Sequence, residues 1–536
     1  GDFGFDGRFS NYALGDFLLG YPATSFFAPD PFDPQPRYLG LGGYAQDDWK
    51  VTPHLTLNLG VRYEWVGVPQ SSNHTYSNIY LPSTGSPRIV LADGAQGITF
   101  EGVKHELLTI LPYANAKSLG LPNGLLTSDK KNFGPRVGLA YSVPRSGNLV
   151  VRGGYGIFYQ RDTENKFTDM ALNPPFVGIH NYNFDQSNFR QFDWYNPTSF
   201  STVDGVGLFA NDMNIRNGRV QAWNLSLDRT VGGTLLSAAY VGNVSRHLSN
   251  MEMPNAARPG PGPITSRRRW QDWGVIYMQS YNGNADYNGL QLKAQRRFSN
   301  GLTFLVGYTW SKTIDDTGGT FVGEGDRGFT FQDPFNHRGD RGLAGQDVRH
   351  RLVASYVYEL PFGRGKAFLN TASTAANAII GGWSVNGVTA LQGGSPFTIG
   401  QACNRANVDV GTMRADVIGD WRLSGGRPSG ELVSRYFNTA AFVNSCPGSD
   451  GPFTFGNVGR NTVIGPGLQN WDFGAYKQFR LWNETSAIQF RAEVFNIFNH
   501  PNFGQPGSTA GTPQFGVIAS TATDAREMQF AFRLSF

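Results

Sequence analysis

Read for hydrophobic and polar positions, the chain is a succession of segments about ten residues long with a period of two. In LTLNLGVRYEW, Leu55, Leu57, Leu59, Val61, Tyr63 and Trp65 share one face, and Thr56, Asn58, Gly60, Arg62 and Glu64 share the other. A strand separates its side chains in this way because successive residues point to opposite sides of the sheet. FGPRVGLAYSV sets Val137, Leu139 and Tyr141 against Arg136, and NLVVRGGYGIFYQ sets Val151, Tyr155 and Tyr159 against Arg152. LQLKAQRRF sets Leu290, Leu292 and Ala294 against Lys293, Gln295 and Arg297, while AIQFRAEVF sets Phe490 and Val494 against Gln489, Arg491 and Glu493. The chain ends in EMQFAFRLSF, with Met528, Phe530, Phe532, Leu534 and Phe536 on one side. From Arg37 onward the pattern predicts about 13 strands, and FGFDGRF near the start would make an even count of about 14.

The connections between these segments alternate in length. Short ones fall at Thr52-Pro53-His54, Pro144 to Gly147, Val231-Gly232-Gly233, Ser299-Asn300-Gly301 and Trp482 to Thr485. Long ones run through residues 67–132, 161–219, 246–286, 314–348, 400–469 and 499–525, and one of middling length, Pro361 to Gly381, occupies a short-turn place. A soluble sandwich has no reason to sort its loops, whereas an outer-membrane barrel has short periplasmic turns and long extracellular loops. No apolar run approaches the roughly 18–20 residues of a membrane-spanning helix, but strands of about 9–11 residues cross a bilayer when tilted. Hydrocarbon also tolerates no unpaired backbone groups, so such strands must close on themselves. The expected fold is all-β, an antiparallel transmembrane β-barrel. With short turns periplasmic, the last strand runs inward and places Phe530, Phe532, Leu534 and Phe536 at the closing seam, where the assembly machinery is expected to read them.

Composition supports one large β unit. Among 536 residues there are 68 glycines, 14% aromatics and only 16% charged residues, with no linker-like stretch. The net charge of +4 is small for this size and gives no case for nucleic-acid binding. On the barrel reading, Arg62, Glu64, Arg136, Arg152, Lys293, Arg297, Arg491 and Glu493, with Asn58, Gln295 and Gln489, face the lumen. Trp49, Trp65, Tyr159, Trp223, Trp310, Tyr358, Trp383 and Trp471 fit two interfacial girdles.

Motifs for chemistry are sparse. GEGDRG (Gly323 to Gly328) has the glycine spacing of a dinucleotide loop without the strand before it or helix after it. RGD (Arg338 to Asp340) lies in a loop rich in glycine and arginine, where such a tripeptide arises by chance. The eight histidines show no metal-site spacing and no nucleophile elbow occurs, so neither a metal, a cofactor nor an enzymatic reaction is expected. Cys403 and Cys446 share one long loop, and outside the cytoplasm they are expected to form a disulfide that staples it.

YAQDDWKVTPHLTLNLGVRYEW (Tyr44 to Trp65) resembles the barrel hairpin of TonB-dependent outer-membrane receptors, nearest the Oar-like group, whose barrels often follow a carboxypeptidase-regulatory-like domain. NYALGDFLLGYP (Asn11 to Pro22), DVRHRLVASYVYELPFGRGK (Asp347 to Lys366) and FRAEVFNIFNHPNFG (Phe490 to Gly504) share the resemblance, which covers nearly the whole chain. It implies a Gram-negative outer-membrane importer of a scarce nutrient, and the loop FVGIHNYNFDQSNFRQFDWYNPTSF (Phe176 to Phe200), which interleaves aromatics with Asn, Gln and Asp, has chemistry that suits a carbohydrate or a peptide. It also implies lipid around the barrel, an unknown extracellular ligand, and energy from the TonB complex. Family barrels have 22 strands behind a signal peptide, a coupling box and a plug. The chain opens GDFGFDGRF without Met or signal peptide. The expectation is therefore that residues 1–536 are the C-terminal portion of such a barrel, with TonB engaged through an N-terminal segment that is not in this sequence. Two other readings stand beside it: a complete passive channel of about 14 strands, and a structural or adhesive outer-membrane protein whose long loops engage surfaces.

Overall fold

The structure, a computed structural model, describes residues 2–5, 9–10, 12–22, 24–27, 35–95, 111–160, 165–176, 180–183, 208–317, 331–408, 413–444, 453–480 and 486–536. Thirteen strands form one antiparallel meander: β1 (Gly40–Thr52), β2 (Leu55–Val66), β3 (Phe133–Ser142), β4 (Leu149–Gln160), β5 (Gly218–Val231), β6 (Thr234–Glu252), β7 (Ile276–Ser299), β8 (Leu302–Asp315), β9 (His350–Glu359), β10 (Trp383–Gln392), β11 (Leu468–Arg480), β12 (Ala487–Phe495) and β13 (Glu527–Ser535). Each strand pairs with its neighbours in sequence, as a meander with strictly alternating turns requires.

The short connections show why they are short. Gly232 and Gly233 (φ 55° and 78°) join β5 to β6, and Asn300 and Gly301 (φ 53° and 78°) join β7 to β8. Positive φ at both central residues gives a two-residue turn whose twist matches that of the strands, and Asn-Gly and Gly-Gly adopt it at least cost. The middling connection between β9 and β10 carries α1 (Thr374–Ile380), capped by Ser373 Oγ accepting from the Ala376 N–H.

Register carries the apolar positions of one strand onto those of the next. Leu57 pairs with Leu139, Leu225 with Tyr240, Tyr240 with Leu290, Leu352 with Leu391, and Phe490 with Phe532. The result is a continuous apolar face across the whole sheet. The strands themselves bury little. Among the described residues, four packed cores lie instead in the long connections and the strand extensions that reach into them. One gathers Tyr76, Val90, Leu126, Met170 and Tyr281, and another Phe397, Ile399, Phe437 and Phe442. This division follows from solvent: strands clothed by lipid on one side need no protein core there, whereas loops in water do.

Two features depart from the pattern-based reading, and a third bears on closure. The front segment does not add a strand to the meander; Asp2–Gly4 pairs with Thr24–Phe27, which pairs with His180–Asn183, in a separate small sheet, leaving thirteen. The connection expected at 246–286 is shorter, because β6 and β7 run on as a paired ribbon of 19 and 24 residues with register shifts after Arg246 and Leu248. That ribbon, rich in Asn and Ser, stands beyond the apolar face, so nothing enforces alternation there. Finally, among the described residues β1 pairs only with β2 and β13 only with β12, so the sheet has two open edges.

Candidate ligand site and inner wall

The polar residues singled out in the strands lie on the face opposite the apolar one, and several meet there. Arg62 donates to Glu64 at 2.6 Å. Arg152 of β4 pairs with Asp228 of β5, which also accepts from Ser237 of β6, linking three strands. Arg491 Nε donates to Gln489 Oε1 at 2.8 Å, and Tyr476 Oη donates to Glu493 Oε1 at 3.3 Å. Lys293 stands opposite Ser237 and Gly307, and Arg136 opposite Gly60 and Gly156. Arg297 falls where the β7–β8 register shifts, outside the regular ladder. The same face carries an apolar patch that the alternation did not foretell: Leu305 and Val388 flank Ser355 in one cross-strand row, with Val357 two residues along, and they are 45%, 43% and 40% exposed.

At the long-loop end, buried ion pairs fasten one connection to another. Arg414 reaches Asp340 at 2.6 Å and also donates to the carbonyls of Gly339 and Val458. Arg460 reaches Asp315 at 2.5 Å and donates to the carbonyl of Asp340, while Arg405 pairs with Asp416 within the β10–β11 connection. Burial pushes the Asp340 carboxyl up and the Arg414 guanidinium down from their ordinary values, with each partner pulling the other back. Asp340 is the acid of the RGD tripeptide, and it is 8% exposed. Held in this pair, it is not displayed for adhesion.

Between β5, β6, the β7 extension and the segment that precedes β5 lies a cavity of about 740 Å³, within the range of about 300–1,000 Å³ typical of ligand pockets. Arg216, Arg219, Arg246, Asp212, Glu252 and Asn284 are among the groups that line it. Some of the charges are already satisfied. Arg246 pairs with Asp286 at 3.0 Å, and Glu252 accepts from Asn282 and lies 3.7 Å from His337. Among the described residues, Arg216 and Arg219 make no ion pair, and Arg219 Nε is buried without a hydrogen-bond partner. The cavity therefore presents two guanidinium groups with unused donors beside amides, which suits a ligand rich in oxygen acceptors. None of this was legible locally. Arg216 and Arg219 belong to no motif; Arg219 stands in β5 opposite Tyr159 and Arg246, and Arg216 lies in the segment between β5 and residues 208–211, whose pairing with β7 is long-range.

Other sequence-based candidates resolve as follows. Cys403 is disulfide-bonded, and Cys446 lies outside the described residues, as do the GEGDRG segment and the turn at 481–485. Of the aromatic-rich stretch 176–200, only Phe176, which is buried, and His180–Asn183 are described. No group of three metal-ligating side chains occurs among the described residues. Trp49, Trp65, Tyr159, Trp223, Trp310, Tyr358, Trp383 and Trp471 all stand in rows of the apolar face; Trp223 and Trp310 lie nearer the middle of their strands than the others. Phe530, Phe532 and Leu534 stand on the apolar face of the edge strand β13, and they and the terminal Phe536 are at least 56% exposed.

The family model for outer membrane beta barrel domains matches residues 1–529. No curated protein matches the chain by sequence. Similar solved structures include the pyoverdine outer membrane receptor FpvA from Pseudomonas aeruginosa PAO1 bound to pyoverdine, at 11% identity over 93% of this chain and 42% of that one, with a TM-score of 0.41. The outer membrane transporter YddB from Escherichia coli is 9% identical over 93% of this chain and 45% of its own, with a TM-score of 0.44. The siderophore receptor PiuA from Acinetobacter baumannii is 10% identical over 96% and 44%, with a TM-score of 0.42. This chain spans less than half the length of each of the three.

Proposed function

The chain belongs to the outer membrane β-barrel domain family of Gram-negative bacteria, and from that premise we propose that it is the C-terminal part of the barrel of a TonB-dependent importer of the Oar-like group. The observation that carries this reading is the pair of open edges. Unpaired N–H and C=O groups are prohibitive in hydrocarbon, so a lipid-clothed meander with two edges calls for further strands between them. The exposed patch of Leu305, Val357 and Val388 on the lumen side supports a plug, because a water-filled passive channel gains nothing from apolar walls.

In this reading the long-loop end faces outward and the cavity holding Arg216 and Arg219 receives the ligand. Guanidinium groups donate to hydroxyl and carboxylate oxygens, chemistry that matches a carbohydrate or a peptide. The ion-paired inner wall holds a polar plug by replacing its hydration with fixed donors and acceptors. TonB acts on that plug through an N-terminal segment, and the assembly machinery engages β13. Import itself needs no covalent step from these residues.

The test is uptake of labelled oligosaccharide and peptide pools by cells carrying the intact gene, with and without a protonophore or a TonB deletion. Uptake that needs both the gene and the energised inner membrane supports the importer. Gene-dependent uptake that persists without energy supports a passive channel, and loss of surface attachment without any uptake defect supports an adhesive protein.

A further inference from the structure

Three cross-strand rows of the apolar face, near the short turns, hold residues that do not belong on a plain lipid-facing wall. In the first row Leu227, Ala238, Leu292 and Tyr308 stand in register; in the second, Leu149, Arg229, Leu236, Ala294 and Val306; in the third, Val231, Thr234, Arg296 and Phe304. Ala238 and Ala294 are short among leucines, and between them the surface dips into a groove of about 410 Å³. Arg229 lines its turn-side end. Arg296 is two residues beyond Ala294 on the same face, and its Nε is buried without a hydrogen-bond partner. Neither arginine makes an ion pair among the described residues.

Arginine on a lipid-facing row costs roughly 2–4 kcal/mol at the bilayer midplane and about 0–1 near the interface. Arg229 is two residues from the strand end at Val231, so both groups stand at the level of the periplasmic headgroups. From strand spacing and rise, their Cα atoms are roughly 12 Å apart, within reach of one phosphate from two extended guanidinium side chains. A groove for a chain, ending at two unneutralised guanidiniums, matches one class of molecule.

We propose that this groove is a specific site for an anionic phospholipid of the periplasmic leaflet, with an acyl chain along Ala238 and Ala294 and the phosphate between Arg229 and Arg296. The site rests on the outer-membrane placement of the chain and not on the importer reading, so it stands even if transport proves passive. It would fix the tilt of β5 to β8 in the bilayer at a point where the sheet has no protein core.

The test is native mass spectrometry of the full-length protein in mild detergent, titrated with phosphatidylglycerol or phosphatidylethanolamine. Phosphatidylglycerol is expected to be retained at about tenfold lower concentration than phosphatidylethanolamine. The R229Q/R296Q double variant should abolish that preference, and A238L/A294L should weaken retention of both lipids by filling the groove. Heat-modifiable migration identifies folded variants, and R229K/R296K replaces the glutamine pair if that pair misfolds, with partial loss of preference expected. Equal retention of the two lipids by the native protein, unchanged preference in the arginine variants, or displacement of the lipid by inorganic phosphate alone would overturn the proposal.

Discussion

Arg414 and Asp340 meet at 2.6 Å with both side chains buried, and through them the β10–β11 connection is fastened onto the β8–β9 connection. Removing one partner of such a pair leaves a buried charge uncompensated, at a cost of roughly 3–5 kcal/mol. The R414Q variant should therefore keep the strands and loosen the loops. Hydrogen exchange should quicken in residues 331–343 and 413–418 while β7 to β9 stay protected. Unchanged exchange in those loops would show that the pair does not hold them.

Asp169, in the long β4–β5 connection, carries a carboxyl that burial pushes up to about 6. A raised folded-state value means that its favourable contribution is complete below the ordinary carboxylate range, near pH 4, and is lost as pH rises through about 6. The loop core around Met170 should thus be more stable at pH 5 than at pH 7. D169N should remove that slope and stabilise the region at neutral pH by roughly 1–3 kcal/mol, because each tenfold change in proton affinity between the folded and unfolded chain corresponds to about 1.4 kcal/mol. Thermal unfolding at the two pH values checks it, and a D169N profile as steep as that of the native protein would contradict it.

The strand rows were legible in the sequence because lipid on one side and polar surroundings on the other impose a strict period, and register then carries Leu225 to Tyr240 to Leu290 without interruption. Long-range assembly was not legible. Ser77–Tyr80 and Arg88–Leu91 are four-residue strands of a small sheet inside a long loop, too short and too evenly buried to alternate. Exceptions within the apolar rows were equally silent. Lys477 stands opposite Trp383 and Phe490, a place for an apolar residue, and is explained only by α1, which no local motif announces.

Lys477 Nζ donates to the carbonyls of Ile379 and Gly381 at 2.7 and 2.8 Å, at the C-terminal end of α1, and Trp383 Nε1 donates to Ile379 as well. A cation at a helix C-terminus satisfies carbonyls that the helix leaves unpaired. K477M should remove two hydrogen bonds of the charged kind, about 1.5–3 kcal/mol each. Protease added from the periplasmic side should then cut near residues 366–381 faster than in the native protein. An unchanged cleavage rate would mean that α1 is held by other contacts.

Neither β1 nor β13 has a second partner among the described residues, and the residues of β1 are exposed throughout. Residues 1–536 expressed alone for export should therefore fail to show heat-modifiable migration on a gel, whereas the same residues within a longer protein that supplies further strands should show it. A protease-resistant, heat-modifiable species from these residues alone would mean that thirteen strands suffice for closure.

Which end of the sheet faces outward is the most direct test of the membrane-barrel reading. Single thiols introduced at Ser266, in the exposed β6–β7 connection, and at Asn300, in the β7–β8 turn, can be probed with a membrane-impermeant maleimide on intact cells. Ser266 should label on intact cells, and Asn300 only after the outer membrane is permeabilised. Labelling at Asn300 but not at Ser266, or equal labelling of both on intact cells, would contradict that orientation and the barrel reading built on it.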